Sequence, residues 1–303
     1  MKPDSFRRPT VLGIGIVALT LVTMPLIHGC TARLPTVPPV TQTPTNRHLE
    51  GKFVWHDLLT HDVSADTAFY GALLGWEFSP VPEGGYVVIT QNGMPIGGVV
   101  PLERKDRNVY SQWLSYLSVA DVDSAAELTR SGGGRVYREP FDLPGRGRVA
   151  IILDPQGAPL ALVRSAGGDP ADEDQVYNRW LWNELWTDDK DSSLAFYAGL
   201  VGYERDEVDL GGATPYTVFR REKKARGGSV EIQIEGVGPH WLPYVAVKNP
   251  SEVASRAEQL GGKILLSVER VATVQHAVVL ADPSGAAFTI QQWPYQREEE
   301  GTD

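Results

Sequence analysis

Cysteine is all but missing from this chain. Cys30 is the single one in 303 residues, so no disulfide can close within the chain and no thiol nucleophile exists beyond residue 30. Grouped basic charge is missing too. The formal net charge is -10, and binding to phosphate backbones rests on clustered Lys and Arg that displace counterions, which argues against nucleic acid as a partner. The one dense basic stretch, RREKKAR at 220–226, reads as the solvated turn of a hairpin. There is no phosphate loop, and no Ser or His sits in a recognisable nucleophile motif; SGGGR at 131–135 reads as a helix stop. What remains is ordinary globular material, 42% apolar and 22% charged, of a length that suits about two domains.

The first thirty residues stand apart. Lys2, Arg7 and Arg8 precede an apolar run from Val11 to Ile27, which ends at Gly29-Cys30; this is the layout of a secretory signal. A lone Cys directly after LIHG resembles the lipobox of bacterial lipoproteins, with His28 where a small residue is usual. The expectation is therefore signal removal over 1–29, a lipid on Cys30, and an exported protein held at the periplasmic or cell-surface side of a membrane. A retained single-span anchor is the competing reading. Residues 30–50, with Pro35, Pro38, Pro39 and Pro44, read as an extended tether.

The rest of the chain is written twice. Trp55, Asp57, Thr60, Asp62, Phe69-Tyr70 and Gly75 return as Trp182, Glu184, Thr187, Asp189, Phe196-Tyr197 and Gly202, an offset of 127. QWLSYLSV at 112 returns as HWLPYVAV at 240, and DPQGAPLAL at 154 as DPSGAAFTI at 282, an offset of 128. Two tandem domains follow, 53–165 and 178–293, joined by a Gly- and acid-rich linker at 166–177 and followed by an acidic tail at 294–303. Each domain reads as two βαβββ modules: an alternating strand, a helix stopped by glycine, then three short strands.

These paired modules, with D...FY...LG after the first strand and DPxGA before the last, resemble the vicinal oxygen chelate superfamily, the fold of glyoxalases, bleomycin-resistance proteins and extradiol dioxygenases. The resemblance covers both domains. It implies an α+β fold in which each domain curves a mixed sheet into a half-open cup with helices outside and metal and substrate within. It also implies four metal positions per cup, and this sequence departs from the family there. Those positions fall on Trp55, Leu114 and Ala161 in the first domain and on Trp182, Leu242 and Thr289 in the second, none a suitable donor for a divalent ion. The fourth falls near Ile96 to Gly98 and on Glu231. His56 is the remaining metal candidate, one residue out of register; it corresponds to Asn183 in the repeat, which favours a hydrogen-bonded structural role. No cofactor is expected.

With tryptophan in the ligand's place, each cup gathers Trp55, Asp57 and Tyr116, or Trp182, Glu184 and Tyr244, on one strand face. These are the candidate ligand-binding residues, and they describe an aromatic pocket for a flat or amphipathic small molecule. Asp57 and Glu184 are candidate general acids or bases if desolvation raises their pKa. The favoured expectation is a tethered small-molecule binder. An enzyme, through misplaced metal ligands or through Asp57 and Glu184, and a scaffold with filled cups stay open. Replacing Cys30 by Ser is expected to move the chain from the membrane fraction to the soluble one; unchanged partitioning and processing would point to a retained span.

Overall fold

A computed structural model describes residues 34–82, 84–103, 106, 109–209, 215–232, 236–268 and 277–293. Cys30, the signal-like run and the acidic tail lie outside the described residues. The order of elements is β1 (Phe53–Thr60), α1 (Val63–Leu74), β2 (Glu77–Pro80), β3 (Val87–Gln91) and β4 (Met94–Pro101), then β5 (Gln112–Ser118), α2 (Val122–Ser131), β6 (Arg135–Leu143), β7 (Gly147–Leu153) and β8 (Pro159–Ser165). The second domain repeats it: β9 (Trp180–Thr187), α3 (Lys190–Val201), β10 (Glu204–Val208), β11 (Tyr216–Arg221), β12 (Lys224–Glu231), β13 (His240–Val247), α4 (Pro250–Gln259), β14 (Lys263–Val268), β15 (Ala277–Ala281) and β16 (Ala287–Gln292). Two eight-stranded sheets result, ordered β2-β3-β4-β1-β5-β8-β7-β6 and β10-β11-β12-β9-β13-β16-β15-β14. In each, two four-stranded modules meet at the antiparallel central pair, β1 with β5 and β9 with β13. The basic stretch at 220–226 turns at Glu222 and Lys223, both at positive φ, between β11 and β12.

The twice-written residues have structural work to do. Asp62 and Asp189 cap α1 and α3 by accepting from backbone N–H groups of the first turn, and Gly75 and Gly202 end the helices in the left-handed conformation, which glycine adopts without strain. The helices lie on the convex side of each sheet, between the two domains. Phe69, Tyr70 and Leu74 of α1 share a core with Val245, Val278 and Phe288 of the second sheet; Phe196, Tyr197 and Leu200 of α3 share one with Leu117, Ile152 and Leu160 of the first. Each first module thus packs on the other domain's last one.

Hydrogen bonds make the exchange reciprocal. The Tyr70 hydroxyl donates to Asp282 Oδ2 at 3.1 Å and accepts from Trp113 Nε1 at 2.9 Å. The Tyr197 hydroxyl donates to Asp154 Oδ2 at 3.1 Å and accepts from Trp241 Nε1 at 2.8 Å. The FY of one domain reads the DPxG aspartate of the other. On the axis between them, His56 Nε2 lies 3.0 Å from Asn183 Oδ1, its own counterpart in the repeat, and its ring packs on Trp180 at 4.2 Å.

Two segments depart from the sequence reading. The stretch expected as a free tether over 30–50 is laid on the first domain from residue 34 onward: Val37 and Val40 are buried, Val37 N donates to Pro144 O, and Thr45 Oγ1 donates to Asp169 O. The expected linker supplies the anchor, since Asp169 is buried and accepts from Leu49 N, Ser118 Oγ and Ser165 Oγ. Proline enrichment keeps the chain extended, as it is here; two valines and one buried carboxylate are enough to dock it. Gly145 takes part, because a Cβ there would meet Val37 O at 1.9 Å.

Burial pushes the His56 pKa down to about 4. The unfolded chain, with an ordinary histidine, therefore binds the extra proton first as pH falls below about 6.5, and stability is lost between there and about 4. Between pH 7 and 5 the wild type is expected to lose about 2 kcal/mol more unfolding free energy than His56→Gln; equal losses in urea titrations at the two pH values would show that His56 does not titrate with folding.

Candidate functional site

The concave faces look outward, one from each domain, and at the base of each a carboxyl is ringed by aromatic side chains. In the first cup Asp57 Oδ1 accepts from Trp55 Nε1 at 2.8 Å and from the Tyr86 hydroxyl at 2.7 Å, while Oδ2 accepts from the Tyr116 hydroxyl at 2.7 Å. In the second, Glu184 Oε1 accepts from the Tyr244 hydroxyl at 2.7 Å and from Trp186 Nε1 at 2.9 Å, and Trp182 Nε1 donates to the Tyr216 hydroxyl at 2.9 Å. Tyr216 also bears on the Glu184 carboxyl. The candidates Trp55, Asp57 and Tyr116 come together, as do Trp182, Glu184 and Tyr244.

Sequence reasoning missed Tyr86, just before β3, and Tyr216, at the start of β11, and the glycines that admit them. Asp57 stands opposite Gly98 and Glu184 opposite Gly228 in the parallel pairs β1–β4 and β9–β12. A Cβ at Gly98 would lie 1.9 Å from the Tyr86 hydroxyl, and one at Gly228 would lie 2.0 Å from that of Tyr216. The absent side chain is what lets each tyrosine lie across the strand to its acid. The signal was present: Tyr86 and Tyr216, and the Gly-Gly pairs at 97 and 227, recur at an offset of 130.

The two cups differ in what fills them. Over the first, the β6–β7 turn sends in Arg146, wholly buried, its guanidinium carbon 3.8 Å from the Trp55 ring centroid and 5.6 Å from that of Tyr116. Arg146 Nη2 donates to the Tyr86 hydroxyl and Nε to Pro38 O, so the docked segment with Val37 and Val40 seals the cup. Trp55, Asp57, Tyr86 and Tyr116 are all 5% exposed or less. The second cup opens into a cavity of about 1370 Å³, whose wall includes Trp182, Glu184, Tyr216, Tyr244 and Thr289 and which runs on past residues 170–176 to His56 and Ile96 of the first domain. Trp182 and Tyr216 are half-buried there, unlike their counterparts.

A model of the family described as "Bleomycin resistance protein-like N-terminal" matches residues 52–92. The chain is 32% identical over 250 residues to the protein named "Putative glyoxylase CFP32" of Mycobacterium tuberculosis, spanning 81% of this chain and 96% of that one. This chain belongs to the vicinal oxygen chelate superfamily. It is also similar to the anthracycline biosynthesis protein DnrV of Streptomyces peucetius, 29% identical over 80% of this chain and 94% of that one. Among solved structures, the Mn(II)-bound glyoxalase from Novosphingobium aromaticivorans superposes with a TM-score of 0.57 at 14% identity, over 80% of this chain and 82% of that one. An extradiol ring-cleaving dioxygenase from B. fuscum gives 0.56 at 14%, over 89% and 78%; both likenesses concern the fold.

Vicinal oxygen chelate proteins of the metal-dependent kind imply a divalent ion in the cup, and the donors here do not fit one. Across the central strands Trp55 pairs with Tyr116, which pairs with Ala161; Trp182 pairs with Tyr244, which pairs with Thr289. Leu114 and Leu242 stand opposite Asp57 and Glu184, two residues along the same strands from Tyr116 and Tyr244 and in unbroken register with them. At the end of β12 and just beyond it, Val230 and Ile232 join the cup's apolar cluster, while Glu231 is exposed at the strand's end. His56 points to the domain interface. Among the described residues each box holds one carboxyl among rings and hydroxyls, and no three of His, Cys, Asp and Glu gather; a transition ion needs more donors than that.

Burial raises the pKa of Glu184 against the bonds it accepts from Tyr244, Tyr216 and Trp186. A carboxyl whose folded pKa lies above its unfolded one contributes stability at low pH that is lost as pH rises through the folded value. Glu184→Gln is therefore expected to melt a few degrees higher than the wild type at pH 8 and to show no advantage at pH 4. A lower melting temperature at pH 8 would mean that the charged form is the one the cup favours.

Proposed function

We propose that this vicinal oxygen chelate protein binds a flat or amphipathic small molecule in the second cup without a metal, and does so from a lipid anchor on Cys30 at the outer side of a bacterial membrane. The observation that carries the reading is the open cavity at Glu184, walled by Trp182, Tyr216 and Tyr244. Concave, mostly aromatic walls around one or two fixed polar groups are what a small-molecule site requires, and ring faces at two sides suit a planar guest. The similarity to an anthracycline biosynthesis protein supports polycyclic aromatic compounds as the class to try first. The first cup is not counted as a site, since Arg146 and the docked segment fill it.

A second reading, catalysis with Glu184 as general acid, is favoured by one feature: its pKa is raised by burial, which keeps a proton available nearer neutrality. Turnover of the bound compound, lost in Glu184→Gln with binding retained, would move the assignment to this reading.

The test uses the full chain and 1,8-dihydroxyanthraquinone as probe, followed by quenching of tryptophan fluorescence. Saturable binding of one molecule per chain is expected, with at least a tenfold loss in Trp182→Ala. Binding unaffected by that change would place the site elsewhere. Dialysis against manganese, iron, nickel and zinc in turn is expected to leave no stoichiometric ion; one bound ion per domain would overturn the metal-free reading.

A further inference from the structure

The repeat supplies its own picture of an occupied cup. In the first domain a tryptophan, two tyrosines and a carboxyl surround a guanidinium: Arg146 stacks on Trp55 at 3.8 Å, faces Tyr116 at 5.6 Å, and reaches Asp57 through the Tyr86 hydroxyl, which accepts from Arg146 Nη2 at 3.2 Å and donates to Asp57 Oδ1 at 2.7 Å. Ring faces carry negative potential and a buried carboxylate adds to it, so a planar cation is the guest this box suits. The second domain builds the same box from Trp182, Tyr216, Tyr244 and Glu184, with the same tryptophan-to-tyrosine and tyrosine-to-carboxyl bonds and the same glycine beneath the tyrosine. Among the described residues, no Lys or Arg stacks on Trp182 or bonds to Glu184. Elsewhere on the cavity wall Arg220 pairs with Asp206, Arg226 and Lys52 pair with Asp172, and Arg179, Lys190 and Lys224 stand away from the box. The β14–β15 connection, which corresponds to the turn that carries Arg146, lies outside the described residues.

We infer that the second cup takes an organic cation, an amidinium-, guanidinium- or amine-bearing aromatic molecule whose charged head enters the Trp182–Tyr216–Tyr244–Glu184 box as Arg146 enters the first. The inference rests on the reading of the second cup as a binding site and adds the charge of its guest. Glu184 is the discriminating group: among the described residues no cation pairs with its buried carboxyl, a cost in free energy that a neutral ligand leaves in place and a cationic one offsets. The large cavity beyond the box accommodates the aromatic body.

Naphthalene-2-carboxamidine and naphthalene-2-carboxamide, near-isosteric and differing by one charge, separate the possibilities when titrated into the full chain at pH 8 by calorimetry. The amidine is expected to bind at least tenfold more tightly than the amide. Glu184→Gln is expected to lower amidine affinity at least tenfold and to leave amide affinity within a factor of two. Equal binding of the two probes would overturn the charge assignment and leave the cup standing as a site for neutral molecules. Binding of neither at millimolar concentration would overturn both this inference and the binding reading on which it rests. Amidine binding that Glu184→Gln does not weaken would place the cation elsewhere and likewise overturn it.

Discussion

Everything in this molecule hangs on two tyrosine hydroxyls that cross the domain boundary. Tyr70 reaches Asp282 and Tyr197 reaches Asp154, and both aspartates are already committed through Oδ1 to the backbone N–H groups of their own DPxG turns. One carboxyl thus closes a turn at the end of one domain and fixes the first helix of the other. Burial, and next the neighbouring Asp66, raise Asp282 to about 7, so the clasp holds a group poised between its charged and neutral forms. The arrangement ties each helix to its foreign sheet and directs both concave faces outward. A domain built this way cannot keep its helix covered alone: Phe69 and Tyr70 would lose Phe288 and Val278, and Phe196 and Tyr197 would lose Leu117 and Ile152. At about 25 cal/mol per Å² of apolar surface, such faces account for many kilocalories per mole of stabilisation.

That shared back frees the two fronts to diverge. Both cups keep a tryptophan, a carboxyl, a tyrosine from the neighbouring strand and a tyrosine laid over glycine. The first adds a cation of its own and a strap from the chain's amino-terminal side, and becomes core. The second keeps its tryptophan half-buried and opens into a cavity.

The fold was largely legible because duplication writes the same physical constraints twice. Asp62 and Asp189 recur because each caps a helix, and Gly75 and Gly202 because each ends one. The site was legible only in part. The alternation of β1 and β9 placed Trp55 with Asp57 and Trp182 with Glu184 on one face, and the central pairing sets Tyr116 and Tyr244 opposite the tryptophans and Leu114 and Leu242 opposite the acids. Tyr86 and Tyr216 recur at a different offset from the motifs around them and so stood outside the aligned pattern. Arg146 could not be read at all: it comes from a turn, and nothing local tells whether a long basic side chain snorkels to water or folds back under a strap. The partner of each tyrosine was equally hidden, since a repeat shows that two motifs exist twice without showing that they pair crosswise.

The contrast between Asp57 and Glu184 decides how the cups should be weighed. A buried carboxyl without a cation is expensive, and natural proteins offset the cost by pairing it, as Asp57 is paired with Arg146 through Tyr86. Glu184 sits 7% exposed, with hydroxyl and indole donors and with its pKa raised by desolvation. Chains relieve such strain easily, since one change to Gln would keep the shape and the acceptor. A group held at a cost in stability, in an open cavity and beside a relieved copy of itself, is where physical reasoning places function. The first cup shows what satisfies this constellation, and among the described residues the second holds the same constellation with no guanidinium in it.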